Sequence, residues 1–152
     1  IDFIGSDHAP FTLEEKMQGQ DDIFKAFCGF PGVDTRLPLM LDAAANGKTT
    51  LKRVIELLCT NPAKCFNIYP QKGILAAGAD ADIVIFDMND TMTIDRTKSY
   101  SMAREIARVY DGRELKCKLN YTIVRGRVLM EDGVVDTEAK GYGELVKPAG
   151  KV

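Results

Sequence analysis

Hydrophobic positions along the chain change their period once, near residue 69, from helical spacing to a β rhythm. Ile1-Asp2-Phe3-Ile4-Gly5 is short and β-prone, and it stops at Ser6-Asp7-His8-Ala9-Pro10, where the proline cannot continue a ladder. This predicts a strand that delivers polar side chains from its C-terminal end. Glu14, Glu15 and Lys16 lie in a polar stretch from Thr12 to Asp22 that suits a short helix. Phe24 to Gly32 is an apolar loop punctuated by Gly29, Pro31 and Gly32, too hydrophobic for an ordinary exposed loop and expected to line a cleft or pack under a partner. Leu37, Leu39, Met40, Leu41, Ala43 and Ala44 predict a helix that ends at Asn46-Gly47. Thr50 can cap a second helix, in which Leu51, Val54, Ile55, Leu57 and Leu58 recur at helical spacing. Thr60-Asn61-Pro62 is expected to end that helix and start a short third one, with Ala63, Phe66 and Ile68 on its buried side.

Beyond Tyr69-Pro70 the pattern predicts a short strand at Gly73-Ile74-Leu75 and a turn over Ala76 to Asp80. Asp82 to Asp87, apolar throughout its middle, predicts a central strand buried on both faces. Thr91 to Ile94 suits another strand, and Asp95 to Leu115 a polar helical or irregular stretch. Tyr121 to Val135 reads as a meander with turns at Gly126 and Asp132-Gly133. Gly141 to Val152, rich in Gly, Lys and Pro, suits an extended arm. The expected organisation is therefore α/β over 1–69, mostly β over 70–140, and an arm over 141–152.

With 152 residues, 45% of them hydrophobic and 28% charged, the chain can bury a core and is not disordered. A net charge of -2 without a basic patch argues against nucleic acid or an anionic membrane surface as partner. No apolar run reaches the roughly 18 residues of a membrane span, and no signal-peptide pattern is present. Cys28, Cys59, Cys65 and Cys117 are too widely spaced for metal pairs and read as small buried hydrophobes of a reduced, cytoplasmic protein. The start at Ile1 rather than Met suggests the C-terminal part of a longer polypeptide. One histidine, His8, cannot hold a metal by itself, so any metal centre must draw on carboxylates or other segments.

Asp7 is the leading candidate for chemistry, because α/β barrels and open α/β sheets place reacting groups at the C-terminal ends of strands. An Asx turn or a helix cap would also place an aspartate there, and spacing alone does not decide. Asp80 and Asp82 alternate like metal ligands, but Gly78 before them makes turn residues the simpler reading. Arg125 and Arg127 read as the solvated sides of a hairpin.

The wider pattern carries more. Ile4 to Thr12, Gly29 to Leu39, Thr60-Asn61-Pro62-Ala63-Lys64, Lys72-Gly73 and Gly78 to Val84 closely resemble, in order, the cyclic amidohydrolases: the hydantoinase or dihydropyrimidinase, dihydroorotase and allantoinase group. The resemblance covers essentially the whole chain. It implies the C-terminal part of a metal-dependent (β/α)₈ TIM-like barrel followed by part of a small β-sandwich. It also implies two divalent metal ions, zinc by expectation, with the other ligands upstream, and a homo-oligomer, dimer or tetramer. Asp7 matches the aspartate that binds the more exposed metal, takes a proton from a metal-bridging hydroxide attacking the ring carbonyl, and passes it to the leaving nitrogen. His8 is not among the family's metal ligands. Cys28 and Gly29 match the loop whose backbone meets the substrate ring, although hydantoinases typically have Asn-Gly there. Cys28 as a nucleophile is disfavoured, since no histidine base lies near it in sequence.

Phe11 stands where dihydroorotases usually carry a carboxylate-binding histidine, and this favours hydantoinase or dihydropyrimidinase. Gly32 to Pro38, by contrast, is closer to the dihydroorotase version. A non-catalytic dihydropyrimidinase-related scaffold is the competing reading from another class, but such relatives usually lack the aspartate matched by Asp7. An independent β-rich binding module fits poorly with residues 1–68, which read as barrel elements that need neighbours. The chain alone is expected to be inactive.

Overall fold

The computed structural model describes residues 1–149. Four helices occupy the first half: α1 (Leu13–Met17), α2 (Val33–Ala45), α3 (Leu51–Ile55) and α4 (Asn61–Cys65). Helix α1 is nucleated by a capping box in which Thr12 and Glu15 satisfy each other's backbone donors. Thr50 caps α3 as its position suggests, accepting from the Arg53 N–H. Helix α2 ends at Asn46-Gly47, where Gly47 takes a φ of 71°.

Between α3 and α4 the chain does not break at Thr60-Asn61-Pro62 as expected. It continues through one wide π turn, Glu56–Thr60. Pro62 has no N–H to give Leu58, and the Asn61 N–H bonds back to the Glu56 carbonyl, which widens the turn. The Leu57 carbonyl thus released accepts from the Ile4 N–H at 3.1 Å.

That bond helps explain why residues 1–5 form no strand among the described residues, contrary to expectation. Their backbone is held by the helices instead: Arg53 Nη2 donates to the Ile1 carbonyl at 2.6 Å and Asn61 Nδ2 to the Asp2 carbonyl at 2.7 Å. Only one isolated parallel bridge follows, His8 with Phe30.

Among the described residues of the second half lie six strands: β1 (Ile83–Asp87), β2 (Met92–Thr93), β3 (Glu114–Leu115), β4 (Lys118–Val124), β5 (Arg127–Glu131) and β6 (Val134–Val135). An antiparallel sheet runs β1-β4-β5-β6, and β2 pairs with β3. The expected meander is present, in the register Thr122 to Met130 and Met130 to Val135. Two expectations fail here. Gly73-Ile74-Leu75 is not a strand, because Gly73 has a φ of 83° and packs so closely on the helix that an added Cβ would lie 2.6 Å from Ala63 Cβ. The expected central strand is an edge strand, with Val84 37% and Ile85 46% exposed, since β4 is its only pairing partner among the described residues. Ile83, Val84 and Phe86 border an apolar cleft of about 500 Å³ against α2–α4.

The core crosses the change of period at residue 69: Leu41 and Val54 pack with Ile94, Leu115 and Cys117. The buried Asp42 carboxylate joins the halves, accepting from the Lys116 N–H at 3.0 Å and Arg113 Nη2 at 3.1 Å. Of the cysteines only Cys117 is buried; Cys28 lies in a loop, Cys59 borders the open apolar cleft and Cys65 ends α4, and all three are exposed, which corrects the expectation for them. Arg125 and Arg127 are not simply solvated sides of a hairpin. Both guanidinium groups lie over the Tyr142 ring, at 4.4 and 5.3 Å, and anchor the arm. The arm has no regular structure over 141–149, and residues 150–152 of that segment lie outside the described residues.

Candidate functional site

Asp7 has a φ of 45°, a left-handed conformation that non-glycine residues adopt rarely and aspartate better than most. Such strain recurs where a side chain must be aimed. The Asp7 side chain is exposed, and among the described residues no hydrogen bond engages its carboxylate. Both oxygens therefore keep their lone pairs, as a metal ligand or a proton acceptor requires. One residue on, His8 Nδ1 accepts from the Val33 N–H at 3.3 Å, where α2 begins. In the neutral ring the proton then sits on Nε2, leaving His8 without a free lone pair for a metal.

The predicted substrate loop lies alongside this corner. The Ala9 N–H donates to the Phe30 carbonyl at 3.1 Å, and the His8 to Phe30 bridge sets Asp7 and Gly29 one step back on adjacent segments. Gly29 is needed for two reasons. Its φ is 131°, and an added Cβ would stand 2.2 Å from Ala9 Cβ. Within the loop the Phe27 ring stacks on Phe11 at 5.0 Å, and the Phe30 ring meets Tyr110 edge-on at 5.9 Å. Phe24, expected to be packed, is 95% exposed.

Lys16, read in the sequence only as part of a short helix, reaches into this loop. Its ammonium donates to the carbonyls of Phe27 and Gly29, the latter at 2.7 Å. No spacing rule pairs a helix lysine with carbonyls 11 and 13 residues later, so only the folded loop reveals the contact. Among the described residues, no backbone hydrogen bond engages the N–H and C=O of Cys28 or the N–H of Gly29. They are available to a planar amide. The Cys28 thiol, near the Ala26 carbonyl at 3.9 Å, has no histidine partner.

Among the described residues no three His, Cys, Asp or Glu side chains converge on one point. Asp80 and Asp82 are ion-paired to Lys72, and Asp82 also accepts from the Arg125 N–H at 2.8 Å. The Lys72 hydrogen bond holds the Asp80 carboxyl below its ordinary value. Asp82 clips the loop before β1 to the hairpin between β4 and β5, while Asp80 closes the loop on Gln71 and Lys72.

The site is thus one exposed carboxylate beside a loop that offers backbone donors and acceptors, within an α/β chain. Residues 1–129 match the model of the Amidohydrolase family, and the chain belongs to that family. It is 40% identical over 147 residues to L-hydantoinase from Paenarthrobacter aurescens, covering 96% of this chain and 31% of that protein. To dihydroorotase from Methanosphaera stadtmanae it is 38% identical over 135 residues, covering 89% of this chain and 30% of that protein. The structure of a D-hydantoinase (dihydropyrimidinase) from Thermus sp. superposes with a TM-score of 0.88 at 30% identity, covering 97% of this chain and 32% of that one. The chain therefore spans about three tenths of the length of such relatives. No helix among the described residues is long and apolar enough to cross a membrane.

Proposed function

We propose that residues 1–152 form the C-terminal portion of a metal-dependent hydrolase that opens the C–N bond of cyclic amides, of the hydantoinase or dihydropyrimidinase type. In this reading 1–69 supply the active-site loop and helices of a (β/α)₈ barrel and its last strand, which residues 1–5 form when upstream barrel strands pair with them, 70–140 part of a β-sandwich, and 141–152 an extended arm. The protein works in the cytoplasm as a dimer or tetramer. The observation that carries the proposal is the Asp7 carboxylate, free of hydrogen bonds among the described residues and held in a left-handed turn beside the Cys28-Gly29 backbone.

Asp7 fits a share in a two-metal centre, with the remaining ligands upstream. Two divalent ions held there, zinc foremost, would supply Lewis-acid polarisation and make water a better nucleophile. Asp7 takes the proton of the attacking water and returns it to the departing ring nitrogen, so hydroxyl and hydrogen add across the broken C–N bond. The product is a single open-chain molecule that carries a new carboxylate at one end and the released amide or ureide nitrogen at the other. The N–H and C=O of Cys28 and the N–H of Gly29 orient the ring through its own carbonyl and N–H. Phe11 is packed on Phe27 and offers no hydrogen bond to a ring carboxylate, which favours an uncharged ring over dihydroorotate. The similarity to a dihydroorotase keeps that substrate as the second reading.

The test uses the complete polypeptide that carries these residues. It should bind about two divalent ions per chain and open hydantoin or dihydrouracil faster than dihydroorotate. Asp7→Asn should lower kcat by roughly 10²–10⁴-fold, the usual range for loss of a general acid-base group. Full activity in Asp7→Asn would refute the role assigned to Asp7.

A further inference from the structure

We infer that Lys16 is a positioning residue: it holds the Cys28-Gly29 backbone in the geometry that receives the ring and strengthens the Cys28 N–H as a donor. The substrate class in this inference rests on the proposed function. The hold on the loop rests on geometry alone.

Lys16 lies in the last turn of α1, whose start is fixed by Thr12 and Glu15. From that short capped helix its ammonium meets the carbonyls of Phe27 and Gly29, on either side of Cys28. A lysine has three N–H donors and no acceptor, so one cation can draw two carbonyl oxygens together that would otherwise repel. The Phe27 carbonyl and the Cys28 N–H belong to one peptide group. A cation on that oxygen draws electron density from the nitrogen and makes the N–H a stronger donor. Lys16 is half-buried, and its ammonium lies 5.6 Å from the Phe11 ring centroid, which in turn stacks on Phe27. The Phe11 ring adds a cation–π attraction to the two charge-assisted bonds. Gly29, at a φ of 131°, is a flexible point that would relax without the cation.

The experiment places Lys16→Met, Lys16→Gln and Lys16→Arg in the complete enzyme and reads two quantities. The first is the rate of Cys28 alkylation by iodoacetamide, resolved by peptide mass spectrometry, with the exposed Cys59 and Cys65 as internal references. Lys16→Met and Lys16→Gln should label Cys28 several-fold faster with the references unchanged, and Lys16→Arg should stay near wild type. The second is steady-state kinetics on a cyclic amide. KM should rise roughly 10- to 100-fold in the Met and Gln variants, as expected for a lost charge-assisted hydrogen bond, with a smaller change in kcat and recovery in Lys16→Arg. Unchanged Cys28 labelling, or an unchanged KM in a ring-opening enzyme, overturns the inference. A wild-type enzyme that opens no cyclic amide overturns the proposed function instead, and the alkylation rates still decide whether Lys16 holds the loop.

Discussion

Asp42 is a buried charge that bonds across the change from helices to strands, so its loss should weaken the fold. It is 5% exposed and accepts from the Lys116 N–H, Arg113 Nη2 and Asn46 Nδ2 at 3.0, 3.1 and 2.9 Å. In Asp42→Ala the Lys116 N–H loses its acceptor, and an orphaned donor of this kind costs about 1–3 kcal/mol. The Arg113 side chain is 44% exposed, so water replaces much of its pairing and it adds only about 0–1 kcal/mol. Asn46 Nδ2 keeps its bond to the Asp42 main-chain carbonyl, at 2.9 Å, and adds little. The expected loss is about 1–4 kcal/mol, against a total of roughly 5–15 for an ordinary domain. Urea unfolding followed by circular dichroism should show a midpoint lowered by about 0.5–2 M. Asp42→Asn, which keeps an acceptor for Lys116, should lose about half as much.

The pH dependence has a definite sign. The Lys116 N–H outweighs the opposing effect of burial and, with Arg113 and Asn46, holds the Asp42 carboxyl below its ordinary 3.8. A carboxyl depressed in the folded state contributes stability above its unfolded value and loses it as pH falls through the folded one. The gap between wild type and Asp42→Ala should therefore be full at neutral pH and begin to narrow below about pH 4. A gap under about 0.5 kcal/mol at neutral pH, or one that widens on acidification, would refute the reasoning.

Gly29→Ala should cost roughly 2–3 kcal/mol from its φ and its collision with Ala9, and ring opening should fall with it. A thermal midpoint within about 1 °C of wild type would contradict that. Tyr142→Ala removes the ring that both Arg125 and Arg127 meet, worth about 1–2 kcal/mol, and should speed proteolysis of residues 141–149. Unchanged cleavage would mean that the arm is held elsewhere.

Local signals were legible wherever one segment suffices to produce the structure. Thr50 before a helical repeat, Asn46-Gly47 after one, and Gly126 and Asp132-Gly133 between alternating runs act through their own backbone, and each is where the pattern puts it. Asp7 and Gly29 could also be picked out, because the ordered motifs around them resemble a family. Positions whose state depends on distant neighbours were not legible. The π turn needs Pro62 together with the Ile4 N–H that takes up the freed carbonyl, and the exposure of β1 depends on what pairs with its second edge.

The sequence by itself determined the order of the helices, the meander and the family-like motifs that single out Asp7, since short-range periodicity and turn chemistry act within a few residues. Only the tertiary structure decided that Lys16 grips the Cys28-Gly29 loop, that Asp42 joins helix α2 to the segment around Lys116, and that Arg125 and Arg127 both meet the Tyr142 ring. Each of these contacts joins a charge to a group distant in the chain. No local pattern encodes such a pairing until folding brings the two together in a place where water cannot fully substitute for the partner.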